Sequence, residues 1–433
     1  MVETSRIKYW IFLSAAVQLA LGAFTAHQYD GRVFLAAGYS VVHGKSPYMQ
    51  TDVSNVFGAS IFPEPVPGIG YPPPWSFVLA LAYLVSYNLF PNLILYNLAT
   101  KLPIVIGNIL LALLVGRMVL SETSSSILSQ TATRFMLFNP YVVYSTAIWG
   151  QFDTVSVLLM LLALFALSRS RPRLSAVALG GAIALKLIPV ILLPLAVLYE
   201  IRRRGWARAL QYFLFVVGVV GLSFSPFVLG WDFKTIIDNW NIHFVRVGAF
   251  SPMDILLAFG INDLANGLAL LGYLWIPALA IVYYLLWKSW SAKPVDLILS
   301  ALAVLLGVFL TRSWVSEQNL NFVVPLVLLA SLPQGWSKRW VTAVWVLPLV
   351  FTFLHSSPLL LFFLVIPEPV LRAASLDHLR FGVASPEGML ITMAWIAIAM
   401  AWLVIGLKLL RKSLRACSLP VPPNLDTDTG PDP

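Results

Sequence analysis

His27-Gln28-Tyr29-Asp30 follows directly on an apolar run from about Trp10 to Ala26. It opens a polar, Pro- and Gly-rich stretch that passes through Gly44-Lys45-Ser46-Pro47-Tyr48 and ends at Tyr71-Pro72-Pro73-Pro74. A carboxylate just beyond a helix of bilayer length, with a long polar connection behind it, reads as a reactive site at a membrane surface. Nearly everything else in the chain is apolar, so the few ionisable side chains stand out. Such groups at membrane depth are costly and usually functional.

Hydrophobic residues make up 59% and charged residues 11% of the 433 positions, and mean hydropathy is +0.83. Soluble domains carry about a quarter charged residues, and this chain lacks the polar surface to cover its apolar mass. Runs of about 20 apolar residues recur, as in membrane-spanning helices; barrel strands would show alternating ten-residue patterns. The fold class is therefore all-α and polytopic. A single cysteine, Cys417, excludes an intramolecular disulfide. The excess of 28 basic over 19 acidic residues reflects cytoplasmic loops that follow the positive-inside bias, and no nucleic-acid partner is expected. No cleavable signal peptide is read at the N-terminus: Arg6 and Lys8 precede a run that reads as a retained anchor. No fixed-period repeat is visible.

Charge sets the path through the bilayer. Arg6 and Lys8 place the N-terminus inside, so the first span exits to the outer face. A span from about Lys101 to Val119 returns to Arg117, and Trp149-Gly150-Gln151-Phe152-Asp153 then lies outside between two spans. Arg169, Arg171 and Arg173 bring the chain back in. The stretch from Leu174 to Glu200 is flanked by basic clusters at both ends, which a single pass would place on opposite sides. Pro189 disfavours helix at and before its own position. The stretch therefore reads as a hairpin of two short helices turning near Lys186-Leu187-Ile188-Pro189, with Lys186 toward the outer half of the membrane. Alternation then puts the loop from Leu229 to about Asn266, the turn from Arg312 to Gln318 and the loop from Ser356 to Glu387 outside, for about twelve crossings with both termini inside. Trp75 to Phe90 reads as a helix or re-entrant pair at the outer interface. Residues 1–412 form one transmembrane domain, with 27–72 as its first outer loop carrying interfacial helices; 413–433, rich in Pro and Asp toward its end, read as a disordered cytoplasmic tail.

Asp30, Lys45, Trp149, Gln151, Asp153, Lys186, His243, Arg246, Arg312, Glu317 and Gln318 thus share one face. Cations beside aromatics and a carboxylate suit a phosphate-bearing amphiphile with a sugar to stack and a proton to remove. Each also has a structural alternative. Asp30 is placed to start or cap a helix and Asp153 to cap the span after it; Lys186 is long enough to snorkel; Arg312 can anchor a helix end, and His243 can be an ordinary loop residue. No histidine or carboxylate cluster has metal-ligand spacing.

In order along the chain, Asp30-Gly31-Arg32-Val33-Phe34, Gly44-Lys45-Ser46-Pro47-Tyr48, Tyr71-Pro72-Pro73, Phe138-Asn139-Pro140, Gly150-Gln151-Phe152-Asp153, Lys186-Leu187-Ile188-Pro189 with Pro194, and the Ser316-Glu317-Gln318 turn resemble the GT-C superfamily of polyprenyl-phosphate-sugar-dependent glycosyltransferases. The likeness is to the catalytic subunit of the first GPI mannosyltransferase and related prokaryotic mannosyltransferases, and it covers about the first half of the chain.

The resemblance implies an inverting mannosyltransferase with Asp30 as catalytic base. It implies that Arg32, Lys45, Tyr48 and Tyr71 join Trp149, Gln151, Asp153, Lys186, His243, Arg246, Arg312, Glu317 and Gln318 in substrate binding, with Lys186, Arg246 and Arg312 holding the donor phosphate. Gln28 stands where the family's first acidic residue would; the acidic pair that would hold a divalent cation is incomplete, and no metal ligand is assigned. The implied partners are a polyprenyl-phosphate-linked sugar donor, a lipid or glycan acceptor, and membrane lipid. The implied setting is the plasma membrane of a prokaryote, or the ER membrane in a eukaryote, with the active site on the extracytoplasmic face. A transporter or flippase for a lipid-linked sugar is the alternative. The absence of a visible repeat and the one-sided polar residues weigh against it.

Overall fold

The computed structural model describes residues 2–230, 234–239, 246–259, 261, 264, 268–289, 294–374 and 386–418. Helix α1 (Val2–Phe24) stops at Thr25–Ala26, and His27 caps α2 (Gln28–Val42) by accepting the Asp30 N–H on its ring. Much of the expected first outer loop is therefore helical, and Asp30 sits in the first turn of α2. That helix packs its Val33–Gly38 face on α3 (Pro73–Val85). The approach needs a glycine: a Cβ on Gly38 would lie 2.6 Å from the Leu79 carbonyl oxygen. With 13 residues, α3 reaches about 20 Å, short of the roughly 30 Å hydrocarbon core. This is why it does not count as a full span.

Helix α4 (Leu93–Thr123) runs 31 residues through Pro103 and ends on Ser124 in the left-handed region. Helix α5 (Ser126–Phe138) returns along it. Asn139 caps the short helix Pro140–Val143, and a π-helical turn, Tyr144–Ile148, widens the backbone. The chain breaks at Trp149–Phe152, and α6 (Asp153–Ser168) leaves at 119° to the preceding helical segment. Single π-turns inside helices recur at functional sites.

Segment 172–204 doubles back. Helix α7 (Pro172–Leu185) ends at Lys186, which is extended; a 3-10 turn, Ile188–Leu192, follows, and α8 (Leu193–Arg204) returns. Arg204 donates to the Ser170 carbonyl at 3.1 Å, so both ends of the segment meet. Helix α9 (Trp206–Gly230) then runs parallel to α7, with Tyr212 beside Ser175 and Val219 against Gly180.

In the second half, α10 (Trp275–Ser289) and α11 (Pro294–Phe309) lead to a turn whose β2 (Trp314–Val315) pairs in parallel with β1 (Gly248–Ala249), Gly248 opposite Trp314. That pair is the only sheet among the described residues. Helices α12 (Val324–Ser331), α13 (Lys338–His355) and α14 (Pro386–Ser418) complete the bundle. Among the described residues five helices are long and apolar enough to cross a membrane, six if the bent pair around Trp149 is one span; α3, α7 and much of α11 are shorter apolar helices. The architecture is the all-α polytopic membrane fold that composition demands. One boundary moves: α14 continues to Ser418 with Ser413 and Cys417 buried, so residues 413–418 are helix, not tail. Residues 419–433 and His243 lie outside the described residues.

Candidate active site

The α1–α2 elbow and the break after the π-turn meet. The His27 N–H donates to the Trp149 carbonyl at 2.7 Å, and the two rings stack with centroids 4.2 Å apart. Trp149 Nε1 donates to Asp30 Oδ2 at 2.8 Å. His27 Nδ1 lies 3.1 Å from the same carboxylate oxygen and 3.3 Å from the Asp30 N–H. It can serve only one at a time: without a hydrogen on Nδ1 it accepts the cap N–H; with one it donates to the carboxylate. The Asp30 side chain is 16% exposed. Burial pushes its carboxyl up, but the adjacent His27 and the Trp149 hydrogen bond outweigh burial and hold it below the ordinary carboxylate range. Asp30 is therefore ionised at neutral pH and available to accept a proton.

Trp149→Phe keeps the ring and removes one donor. The carboxyl of that variant rises, so the acid limb of kcat/KM moves to higher pH while stacking on His27 persists. The same linkage makes Asp30's contribution to stability present above the ordinary carboxylate value and lost as pH falls through the lower folded value. A pH–rate profile checks the shift; an unmoved acid limb would separate Trp149 from the titration of Asp30.

Two residues past Trp149, the Gln151 side-chain oxygen accepts from the Tyr71 hydroxyl at 3.2 Å. Tyr71 is wedged among Phe34 and Phe152, with Trp75 stacked on Phe152 at 4.2 Å. Lys186 Nζ lies 5.4 Å from the Tyr71 ring centre and 2.6 Å from Asp153 Oδ1. Asp153, expected to cap α6, is instead its first helical residue, with Phe152 at the cap position; its carboxylate holds Lys186. The break after α7 thus delivers a lysine whose partner starts α6.

A cavity of about 260 Å³ opens beside this pair. Its polar lining includes Tyr71, Lys186, Arg312, Ser316 and Asn319; its apolar lining includes Leu187, Ile188, Val190, Ile191, Trp275, Val308 and Phe309. The Ser316–Asn319 turn is braced from below: Tyr141 donates to the Glu317 carbonyl, and Asn321 donates to Ser145 Oγ at 2.9 Å. Glu317 pairs with His355 at 2.6 Å. Burial lifts nearby Asp254 to about 7, with His355 opposing and Glu317 adding to the rise.

The expected site residues divide. Asp30, Trp149, Gln151, Tyr71, Asp153, Lys186 and Arg312 form one connected site. Arg246 lies 5.6 Å from the Trp314 ring centre and acts on Tyr29, next to Asp30. Gln318 is buried beside Asn319, and Glu317 reaches His355. Three residues sit elsewhere than expected. Arg32 is spent on Glu368 at 2.5 Å, tying α2 to the short helix Glu368–Ala374. Lys45 is exposed beyond the far end of α2, over the Tyr39 ring. Fifteen helical residues put that end about 20 Å from Asp30. Tyr48 is a brace: buried, it donates to the Tyr71 carbonyl at 3.1 Å. Gly68 permits this, since a Cβ there would lie 2.0 Å from the Tyr48 carbonyl oxygen. Sequence reasoning missed His27, although it stands in the opening motif, and also Trp275, Ser316, Asn319 and His355. Ser316 and Asn319 flank a turn already singled out; Trp275 and His355 carried no local signal. Among the described residues no group of three or more His, Cys, Asp or Glu is arranged to hold a metal ion.

A helical membrane bundle with a carboxylate at a helix elbow and a cationic, half-apolar cavity beside it is an arrangement that a membrane glycosyltransferase can use. The profile of glycosyltransferase family 87 matches residues 70–332, more than half of the chain, and the chain belongs to that family. No curated protein matches it. The fold is similar to that of ArnT from Cupriavidus metallidurans, crystallised bound to undecaprenyl phosphate, with a TM-score of 0.50 and 14% identity over 96% of this chain and 75% of that one.

Proposed function

We propose that this chain is an inverting mannosyltransferase that takes its sugar from a polyprenyl phosphate and passes it to a hydroxyl of a lipid-linked or glycan acceptor at the outer membrane face. The carrying observation is the cavity: its lining joins apolar side chains to Lys186, Arg312 and Tyr71, and Tyr71 bonds Gln151, which stands near Asp30. Isoprenyl units suit the walls, phosphate suits the cations, and the sugar then lies toward the carboxylate. That the similar ArnT binds undecaprenyl phosphate supports the donor class. Asp30 takes the acceptor hydroxyl proton as the oxygen attacks the anomeric carbon from the face opposite the phosphate. The carbon–oxygen bond to the phosphate breaks, and its electron pair leaves on the phosphate, beside the cations.

The test is turnover of polyprenyl-phosphate mannose by purified protein with a membrane lipid extract, with products identified by mass spectrometry and polyprenyl-phosphate glucose in parallel. Preference for the glucosyl donor would refute mannose; use of a nucleotide sugar with neither lipid donor consumed would refute the donor class. The orientation is tested with single cysteines at positions 45, 171 and 203, with Cys417 replaced, and an impermeant thiol reagent on intact cells. Labelling at 45 alone is expected. Labelling at 171 or 203 without 45 would put the Asp30 side in the cytoplasm.

A further inference from the structure

Lys101 is 1% exposed, one third of the way along the apolar α4. Its Nζ donates to three carbonyl oxygens: Thr25 at 3.0 Å, Ala147 at 2.6 Å and Ile148 at 2.9 Å. An ammonium has three N–H bonds, and each finds one acceptor. All three acceptors end helical segments: Thr25 follows the last residue of α1, and Ala147 and Ile148 close the π-turn. Helix C-terminal carbonyls lack intrahelical partners and carry negative partial charge, so one buried cation satisfies two such ends at once. A Cβ on Gly150 would lie 3.2 Å from Lys101 Cε, which shows how closely the break folds over this side chain.

The two ends it joins carry the reacting groups. Past Thr25 come His27 and Asp30; past Ile148 come Trp149 and Gln151. The branches meet two residues on, through the His27 N–H to Trp149 carbonyl bond and the Trp149 to Asp30 bond. Asn97, one turn earlier on α4, donates only to carbonyls at the end of α1 and just past it, at Gly22, Ala23 and Thr25. Of the two side chains, only Lys101 crosses to the π-turn.

We propose that Lys101 is a positioning residue of the Asp30 site: its buried ammonium locks the end of α1 to the end of the π-turn and so sets the Trp149–Asp30 geometry. The role in transfer rests on the reading of Asp30 as base; the locking role does not. Besides Trp149 and Gln151, the groups that act on the carboxylate or stand next to it are His27 at the elbow, Tyr71 before α3, Asp153 at the start of α6, and Tyr29 with Arg246 beyond it. Lys101 reaches Asp30 only through the two backbones it joins.

The test compares full-length Lys101→Met, Lys101→Gln and Asn97→Leu in nanodiscs, using amide hydrogen exchange and turnover of polyprenyl-phosphate mannose with a membrane lipid extract. In Lys101→Met the amides of 26–31 and 147–151 lose protection together. Its kcat falls about 10²-fold, the loss typical of a small misplacement of reacting groups, donor KM stays put, and the acid limb moves to higher pH. Asn97→Leu loosens the α1 end but keeps kcat and the acid limb. Lys101→Gln, with fewer donors and a shorter reach, falls between Lys101→Met and the natural protein. It carries the test alone if Lys101→Met does not fold. Full protection at 147–151 with unchanged kcat in the Lys101 variants would overturn the proposal, as would Asn97→Leu reproducing both losses. An active Asp30→Asn would overturn the base reading instead, and the exchange data would still decide the lock.

Discussion

Asp30→Asn accumulates as folded protein and transfers no measurable sugar. The amide preserves the volume and can still accept from Trp149 Nε1, which donates to the carboxylate at 2.8 Å, so the elbow keeps its shape. It cannot accept a proton. General-base assistance is typically worth about 10²–10⁴-fold, and on the proposed mechanism the variant also loses a negative charge beside the reacting carbon. The check is kcat with donor affinity measured separately: kcat collapses and donor binding stays near that of the natural protein. Turnover within a few-fold of normal would remove Asp30 from the chemistry and leave it as a first-turn helix residue.

The second large effect falls on stability before it falls on binding. Sequence alone suggests that Lys186→Met weakens donor capture more than it harms folding. The structure reverses that order, because Lys186 is 7% and Asp153 0% exposed and they pair at 2.6 Å. Removing the lysine strands a buried carboxylate, and breaking such a pair costs about 3–5 kcal/mol. Lys186→Met therefore unfolds at markedly lower temperature. The double variant Lys186→Met with Asp153→Asn leaves no unpaired charge and recovers most of the stability, yet it still binds the donor phosphate weakly because the cavity has lost one of its cations. Lys186→Arg rescues only partly, since a planar fork does not replace a compact ammonium. Thermal unfolding with and without donor separates the two effects. A single Lys186→Met variant with unchanged stability and affinity would make the side chain a snorkelling lysine and the pair incidental.

What was legible locally, and what was not, follows from the range of each interaction. Asp30, Gln151, Asp153 and Lys186 were readable because each stands where an apolar run must break, and an ionisable group there is conspicuous. Pro189 between two basic flanks announced the turn at Lys186, and the Arg204–Ser170 contact closes it. The motif Gly44-Lys45-Ser46-Pro47-Tyr48 misled in detail: its tyrosine braces Tyr71 from behind, while its lysine sits at the far end of a helix from Asp30. Nothing local shows that the chain between Asp30 and Lys45 is mostly one rigid helix. Lys101 read only as the start of a span, whereas the helix begins at Leu93, and its role depends on carbonyls 76 and 46 residues away.

Sequence by itself determined that this chain lives in a membrane as an all-helical bundle, because hydropathy and the price of unpaired backbone groups in lipid are properties of each segment taken alone. It also determined where those helices break, since proline and charge act within a turn or two. Only the tertiary structure decided which cation is committed to which anion. Lys186 went to Asp153 and Arg32 to Glu368, while Arg312 came to line the cavity. Pairings across 33 and 336 residues depend on how the helices pack, and packing is settled by the shapes of whole faces, which no single motif contains.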